Sequence, residues 1–250
     1  MNTSFISGAY YQEKCKWNID NRYPIRKWRT PFELTTGDTV FLKVSDISHF
    51  LGMRITKKVS LVVHNSDESF TEQLYKLVEP YVTNVSAVNC VTPLAKQLPL
   101  GLRDHQYASH HVLRAVMNEP QPERTILCLV NFLIDTNRPE REAVYNEFKD
   151  HPLCTVQHEY MHYPLGKSLN FGDPETQQRR FNFYRDLKRS KYILCPAGTG
   201  IDTHRVYEAI LLGAIPIVRS SPLDPLYSTM PIRIVKEWKD VKDILSSEHK

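Results

Sequence analysis

The sequence predicts an α/β fold, because short apolar runs that suit buried parallel strands alternate with segments of helical periodicity. In the stretch 191–218, an apolar run is followed by a break at Pro196 and two glycines, a helical pattern and a second apolar run. The segment 59–63 likewise precedes an amphipathic helix at about 71–79. A polar segment with two prolines, 119–124, separates the halves. We therefore predict two α/β domains, 1–118 and 125–250.

The first half is predicted to form a small parallel unit. Residues 1 to about 36 show no periodic element, and their aromatic side chains suit either an arm anchored to a domain surface or stacking on sugars. Strands are predicted at 40–44, 59–63, 85–91 and 97–102, and a second helix at 105–117. The second half is predicted to contain strands at 125–130, 154–157, 192–195, 215–218 and 232–235, a helix at 174–189 and a Pro-rich loop at 220–231.

Composition limits the possible functions. At 250 residues, with 41% hydrophobic and 24% charged residues, the chain resembles an ordinary globular protein. No apolar run approaches the ~20 residues of a membrane helix, and the first residues lack a signal peptide's pattern. We therefore expect no stable membrane insertion and a cytosol-like compartment. A truncated chain would lack any anchor that preceded it.

Charge and cysteine content point away from two further classes. The net charge of +4 comes from scattered basic residues, which does not favour nucleic acid binding. The five cysteines are widely spaced, and three lie in apolar runs, so we expect reduced and mostly buried thiols.

The stretch 191–218 carries the clearest functional pattern. A helix that begins near Asp202 or Thr203 would bury one stripe of small and apolar residues, namely Val206, Ala209, Ile210 and Gly213. His204, Arg205 and Glu208 would then lie near the carboxyl edge of the sheet. A helix N-terminus with added cations suits a diphosphate, and Glu208 suits sugar hydroxyls. The alternative is a well-capped helix whose charges are merely solvated.

This stretch resembles the donor-binding signature of exostosin-like glycosyltransferases. Its matching parts are Cys195-Pro196-Ala197-Gly198, then Arg205-Val206-Tyr207-Glu208-Ala209, then Gly213-Ala214-Ile215-Pro216-Ile217-Val218. The resemblance implies the GT-B architecture, in which two Rossmann-like domains face each other across a cleft and the C-terminal domain binds the nucleotide sugar. The chain would be a compact version similar to virus- or microbe-encoded members, and a virus-encoded member would act in the host cytoplasm. The resemblance also implies a uridine diphosphate sugar as co-substrate, with a weak preference for xylose, a glycan acceptor and inversion at the anomeric carbon.

Departure of the diphosphate requires stabilisation of its negative charge. The sequence has no Asp-x-Asp motif, which argues against a metal cofactor. Arg141 is favoured by the resemblance, through the pattern Thr136-Asn137-x-x-Glu140-Arg141, and Arg138 is the alternative. Either arginine would otherwise pair with a surface carboxylate. The other residues predicted to bind the donor are Gly198, Gly200, Asp202, Thr203, His204, Arg205, Glu208, Glu159 and Tyr160.

The attacking hydroxyl needs a general base, expected in the first domain. Asp67 is the first candidate, because it follows a buried strand in a loop resembling the acceptor side of small glycosyltransferases. Asp46 and His49, which follow the preceding strand, are the second candidates. His49 and His64 are also predicted to contact the acceptor. Each aspartate would otherwise cap a helix. Two other functions stay open, a nucleotide-sugar hydrolase or epimerase of the same fold and a non-catalytic module that binds nucleotide sugars or glycans.

Overall fold

The computed structural model describes residues 5–19, 34–53, 55–104, 110–157 and 173–248. These residues cluster into two compact units. The N-terminal unit comprises the described part of Met1–Leu102 together with Gly200–Asp202. The C-terminal unit comprises the described parts of Arg103–Thr199 and Thr203–Lys250. Each unit is built around one parallel sheet, so the predicted α/β class is confirmed.

The N-terminal unit holds a five-stranded parallel sheet in the order β1-β2-β3-β4-β5. Alternate side chains of β3 are fully buried in its core, in line with a period of two residues. Every described strand lies beside the one that precedes it in the chain, so the order never reverses. The strands are β1 Trp17–Asn18, β2 Thr39–Leu42, β3 Val59–Val63, β4 Val82–Ala87 and β5 Lys96–Gln97.

Three α-helices are described in the N-terminal unit, α1 Gly8–Lys14, α2 Ile47–Gly52 and α3 Glu72–Val78. Helix α1 and strand β1 correct the prediction that the first 36 residues hold no regular element. The Ser7 hydroxyl caps α1 by accepting from the N–H of Tyr10 at 3.3 Å. Trp17 pairs with Val40 of β2 and is buried, which fixes the start of the chain to the sheet edge. Residues 20–33 of the predicted arm lie outside the described residues.

The C-terminal unit holds a second five-stranded parallel sheet, in the order β10-β9-β8-β6-β7. After β6 the chain adds β7 on one side, then crosses to the other side of β6 for β8, β9 and β10. The strand order therefore reverses between β6 and β8. The strands are β6 Ile126–Val130, β7 Cys154–Val156, β8 Ser190–Leu194, β9 Ile215–Arg219 and β10 Arg233–Val235.

Six helices are described in the C-terminal unit. None of the described helices of the chain combines the length and the apolar character needed to cross a membrane. The short helix α8 lies within the predicted Pro-rich loop. The six are α4 His110–Asn118, α5 Arg138–Phe148, α6 Pro174–Lys188, α7 His204–Leu211, α8 Asp224–Tyr227 and α9 Asp240–Glu248.

The boundary between the units differs from the linker predicted at 119–124. The structure divides the chain between Leu102 and Arg103, so helix α4 belongs to the C-terminal unit. The reason is visible at the end of α4, where the buried ammonium of Lys188 donates to the carbonyl of Val116 at 2.7 Å. This lysine satisfies carbonyl groups that a helix end leaves without intrahelical partners. The two prolines end α4 without separating it from α6.

The buried face of α7 also differs in part from the predicted stripe. Val206 and Ala209 are buried as expected, but Ile210 is only half-buried and Gly213 is exposed. Gly213 instead closes the helix with a φ of +79°, a left-handed conformation that glycine adopts without strain. The face is completed by Glu208, a charged residue that is only 8% exposed.

The cysteines agree with the prediction of reduced thiols. All five are free, and Cys90, Cys128 and Cys195 are buried. Cys15 and Cys154 are half-buried.

Candidate donor site

The reversal of strand order between β6 and β8 marks the expected ligand site of the C-terminal unit. In open α/β sheets, the loops that follow such a pair of strands run in opposite directions and leave a crevice at the carboxyl edge. Here these loops begin at Asn131 and at Cys195, and the second one leads into α7. Among the described strands, the N-terminal sheet has no equivalent reversal.

Arg205, in the first turn of α7, is held from three sides at this edge. Its Nε donates to Oε2 of Glu208 at 3.1 Å. Its Nη1 donates both to the backbone carbonyl of Asn131 and to that residue's Oδ1, the latter at 2.6 Å. Its guanidinium carbon lies 4.1 Å from the centre of the Phe183 ring, within the range of a cation–π contact.

The contacts just described do not involve Nη2, the third nitrogen of the guanidinium group. Nη2 of Arg205 forms no hydrogen bond with any residue that the structure describes, and the side chain is 25% exposed. A guanidinium carries five N–H groups, two of them on Nη2. Arg205 can therefore direct two donors at an anion while its other nitrogens are fixed by protein groups.

Glu208 is the buried partner of Arg205. Its Oε1 accepts from the hydroxyl of Tyr184 at 3.0 Å, and that hydroxyl accepts from Nη1 of Arg180 at 3.1 Å. Burial raises the pKa of Tyr184, and the charge of Glu208 raises it further, so the hydroxyl stays protonated and donates. The carboxylate thus has a fixed hydrogen bond on each oxygen and joins α7 to α6.

Positive charge predominates around Glu208. Burial alone would raise the pKa of Glu208, but the charges of Arg205, Arg180, Arg103 and His204 hold it below its ordinary value. Glu208 is therefore ionised at neutral pH, and three arginines and a histidine are close enough to lower its pKa. This excess of cations suits a ligand with several negative charges.

Arg141, predicted to bind the diphosphate, instead lies buried in α5 and holds the loop after β8. Its Nε donates to the carbonyl of Ala197 at 2.9 Å and its Nη2 to that of Pro196 at 3.0 Å. Its Nη1 donates to the carbonyl of Leu133 at 2.8 Å. These contacts fix the loop against the start of α5. Gly198 is part of the same contact, because a Cβ there would lie 3.0 Å from Nη2 of Arg141.

Arg138, the alternative cation, is on the surface of α5. Its guanidinium pairs with Asp135 at 2.5 Å and lies 4.0 Å from Glu142, and its side chain is 57% exposed. The surface pairing considered in the sequence analysis thus describes Arg138 and not Arg141. A direct role for either arginine at the diphosphate stays a prediction.

The loop between Gly198 and α7 is divided between the units. Gly200 and Asp202 cluster with the N-terminal unit, where the buried carboxylate of Asp202 accepts from the N–H of Leu100 at 2.9 Å. Asp202 therefore does not cap α7. Thr203 is the N-cap residue, but its side chain accepts no capping hydrogen bond, and His204 is the first helical residue and half-buried.

The candidate bases follow β2 and β3, whose carboxyl ends are adjacent in the N-terminal sheet. The two loops are joined by the hydroxyl of Ser66, which accepts from the N–H of Val44 at 2.8 Å. Asp67 is exposed. Asp46 is half-buried, and its carboxylate accepts from the N–H of Lys43 at 3.1 Å, as a capping residue does. His49 is exposed on α2.

His64 corrects the prediction of an acceptor contact. Its side chain is fully buried, and the Tyr11 ring lies 4.9 Å away. Nδ1 accepts from the N–H of Asn65 at 2.8 Å, and Nε2 donates to the carbonyl of Pro99 at 3.1 Å. A residue buried in this way ties loops together and does not face an acceptor.

The remaining predicted contacts, Glu159 and Tyr160, lie outside the described residues. Within the ranges that the structure describes, no group of three or more histidine, cysteine, aspartate or glutamate side chains is arranged to hold a metal ion.

Sequence reasoning missed Asn131, Tyr184, Arg180 and Arg103. Asn131 directly follows a buried strand, as residues 64–67 do, so the same sequence pattern could have identified it. Tyr184 and Arg180 carry no local signal, because only the packing of α6 on α7 brings them to Glu208.

The comparisons with known proteins concern mainly the C-terminal unit. The family profile described as "RXYLT1 C-terminal domain" matches residues 109–250, more than half of the chain. The chain is 27% identical to human ribitol-5-phosphate xylosyltransferase 1 over 200 residues, which cover 72% of this chain and 40% of that protein. It is 28% identical over 108 residues to a probable beta-1,4-xylosyltransferase of Arabidopsis thaliana, covering 43% and 21%.

A probable glucuronosyltransferase of rice, Oryza sativa subsp. japonica, is 23% identical over 145 residues, covering 54% of this chain and 29% of that protein. The chain thus spans at most about two fifths of the length of these relatives. The names agree with the resemblance to exostosin-like glycosyltransferases. Because the profile covers more than half of the chain, including the sheet with the reversed strand order together with Arg180, Arg205 and Glu208, the chain belongs to the family of the RXYLT1 C-terminal domain.

Proposed function

We propose that the chain is a glycosyltransferase that moves a sugar from a uridine diphosphate sugar to a hydroxyl of a glycan acceptor. The observation that carries the proposal is Arg205. Three of its N–H groups are fixed by Glu208 and Asn131, and Nη2 has no partner among the described residues. It lies at the carboxyl edge where the strand order reverses, the usual place for a nucleotide.

The proposed chemistry needs no metal. Negative charge grows on the diphosphate as the bond to the anomeric carbon breaks, and fixed donors in a water-poor site stabilise it. Arg205 supplies two such donors, and the positive charges near Glu208 add a favourable potential. The first N–H groups of α7 would contribute through the helix dipole.

The proposed base is Asp67 in the N-terminal unit, with Asp46 as the second candidate. Asp67 is exposed and its loop follows β3. A base that removes the proton from the acceptor hydroxyl permits direct displacement, which inverts the anomeric carbon. In this proposal the N-terminal unit binds the acceptor and the C-terminal unit binds the donor.

Xylose is the proposed sugar. The names of the human and Arabidopsis relatives specify xylosyl transfer, whereas the rice relative is named for glucuronosyl transfer. The human name also suggests a ribitol phosphate within the acceptor glycan.

The test is a transfer assay with UDP-xylose, UDP-glucuronate and other UDP-sugars, run in excess chelator. Its acceptors are a glycan ending in ribitol 5-phosphate and a xylan oligosaccharide, and the product is analysed by NMR for anomeric configuration. We expect acceptor-dependent xylosyl transfer with a β-linked product from the α-linked donor. Turnover without acceptor would support a hydrolase or epimerase instead. Donor binding with no turnover on any acceptor would support a binding module.

A further inference from the structure

We propose that Asn131 is a positioning residue that holds Arg205 in its anion-binding orientation. The inference deepens the proposed function and rests on it. Asn131 is the first residue after β6, on the edge where the strand order reverses, and only 2% of it is exposed. Its backbone carbonyl and its Oδ1 both accept from Nη1 of Arg205. One residue thereby satisfies both N–H groups of that nitrogen.

The orientation of the Asn131 amide is set by a chain of hydrogen bonds that ends at a carboxylate. Oδ2 of Asp186 accepts from Nε2 of Gln157 at 2.5 Å. Because a carboxylate only accepts, Gln157 must turn its NH2 group to Asp186 and its Oε1 to Asn131. Nδ2 of Asn131 donates to that Oε1 at 2.5 Å. Oδ1 of Asn131 is therefore directed to Arg205.

This chain leaves the guanidinium group one well-defined orientation. Nε is held by Glu208, Nη1 by Asn131, and the face of the group by the Phe183 ring. Rotation of the side chain would break several of these contacts at once. A donor that is oriented before the ligand arrives loses less conformational freedom on binding. The free Nη2 group should therefore owe part of its affinity for an anion to Asn131.

The neutral side chain of Asn131 suits its position beside Arg205. Glu208 already offsets one unit of the positive charge of Arg205. Asn131 satisfies Nη1 without adding a second negative charge, so the surplus of cations around Glu208 persists. The combination of one carboxylate and one amide both fixes the arginine and keeps the site attractive to an anion.

The experiment is a double-mutant cycle on the full chain. UDP and uridine are titrated calorimetrically into the wild type, Asn131→Ala, Arg205→Ala and the double variant. Uridine serves as the probe without phosphate groups. Asn146→Ala, an exposed asparagine of α5, is the matched control, and the melting temperature of each variant is recorded.

We expect Asn131→Ala to weaken UDP binding about tenfold, which corresponds to about 1.4 kcal/mol, and to change uridine binding less than twofold. In the Arg205→Ala background, removal of Asn131 should cause no further loss beyond about twofold, because its effect acts through Arg205. Asn146→Ala should bind both ligands as the wild type does. Should Asn131→Ala fail to fold, Asn131→Ser takes its place in the cycle, since a serine hydroxyl is too short to replace the amide.

Two results would overturn the inference alone. An unchanged UDP affinity in Asn131→Ala would show that Arg205 needs no such support. An equal loss with and without Arg205 would show a general structural effect. If the wild type binds no UDP, or if Arg205→Ala binds it normally, the proposed donor site itself is wrong and the role of Asn131 falls with it.

Discussion

The two sheets of this protein differ at their carboxyl edges. In the N-terminal sheet the strand order never reverses among the described strands, and the polar residues beside the edge mostly join loops. His64 bridges Asn65 and Pro99, Ser66 reaches Val44, and Asp46 caps a turn. Asp67 is exposed at this edge, as is its neighbour Glu68.

In the C-terminal sheet the order reverses between β6 and β8, and the polar residues there form a connected ionic cluster. Its centre is Glu208, which binds Arg205 directly and Arg180 through Tyr184. Nη2 of Arg205 forms no hydrogen bond with a described residue, so its N–H groups could bind a ligand. Similar polar loops that follow buried strands can therefore have different roles. The reversal of strand order, and not the presence of polar residues, marks the edge suited to an anion.

The largest effect on the transfer rate should come from replacing Asp67, at the carboxyl edge of the N-terminal sheet. If Asp67 is the base, Asp67→Asn should reduce the transfer rate on the order of 1,000-fold, because a general base contributes about 100- to 10,000-fold. UDP binding, measured by calorimetry, should not change. The transfer rate is measured at saturating donor.

Asp46→Asn is the paired variant, since asparagine serves as a cap almost as well as aspartate. It should keep most of the transfer rate. Loss of transfer in Asp46→Asn, with normal transfer in Asp67→Asn, would exchange the two roles. Normal transfer in both would remove this edge from the chemistry.

The second largest effect is expected at the carboxyl edge of the C-terminal sheet. Arg205→Ala should lower the transfer rate about 100-fold or more, because it removes donors directed at the leaving diphosphate. UDP affinity should also fall. Arg179→Ala is the control, since Arg179 is an exposed arginine of α6 that pairs with Glu175 on the surface. Near-normal turnover by Arg205→Ala would exclude that arginine from the site.

A smaller effect is expected at the carboxylate that holds Arg205. Glu208→Gln keeps the shape but removes the charge, so the ion pair to Arg205 weakens and UDP affinity should fall about tenfold. An unchanged dissociation constant would indicate that Glu208 has no part in donor binding.

The same carboxylate should contribute to the pH dependence of stability. Its pKa is lower in the folded chain than the ordinary value of 4.5, because nearby cations outweigh the effect of burial. Such a group stabilises the fold fully above its ordinary pKa, and this contribution is lost as the pH falls through the lowered value. Urea unfolding between pH 7 and pH 3 should therefore show a smaller decline in stability for Glu208→Gln than for the wild type.

Much of the C-terminal sheet could be predicted from sequence, since β6, β8 and β9 are apolar runs with few polar interruptions. The predicted limits of β3 agree with the structure. Helix α1 could not be recognised, because it has only seven residues and its one buried residue is Gly8. The domain boundary was missed because prolines 120 and 122 signal a break in the chain, whereas the side chains of α6 decide what packs with α4.

The site was predictable where one segment holds all its parts. Arg205 and Glu208 are three residues apart, and their pairing follows from helix geometry. The roles of Arg141 and Asn131 depend on partners more than fifty residues away, at Ala197 and Arg205. Sequence spacing alone carries no information on such contacts. For the same reason, the sequence predicted an acceptor contact for His64, whose side chain is buried beside Tyr11 and Pro99.

The most direct test of the proposed donor site is a structure of the chain with UDP bound. We predict a diphosphate oxygen within about 3 Å of Nη2 of Arg205, at the carboxyl ends of β6 and β8. Glu208 and Asn131 should keep their contacts with that arginine. A diphosphate held away from Arg205, for example at the loops after β2 and β3, would contradict the proposal that Arg205 binds the donor.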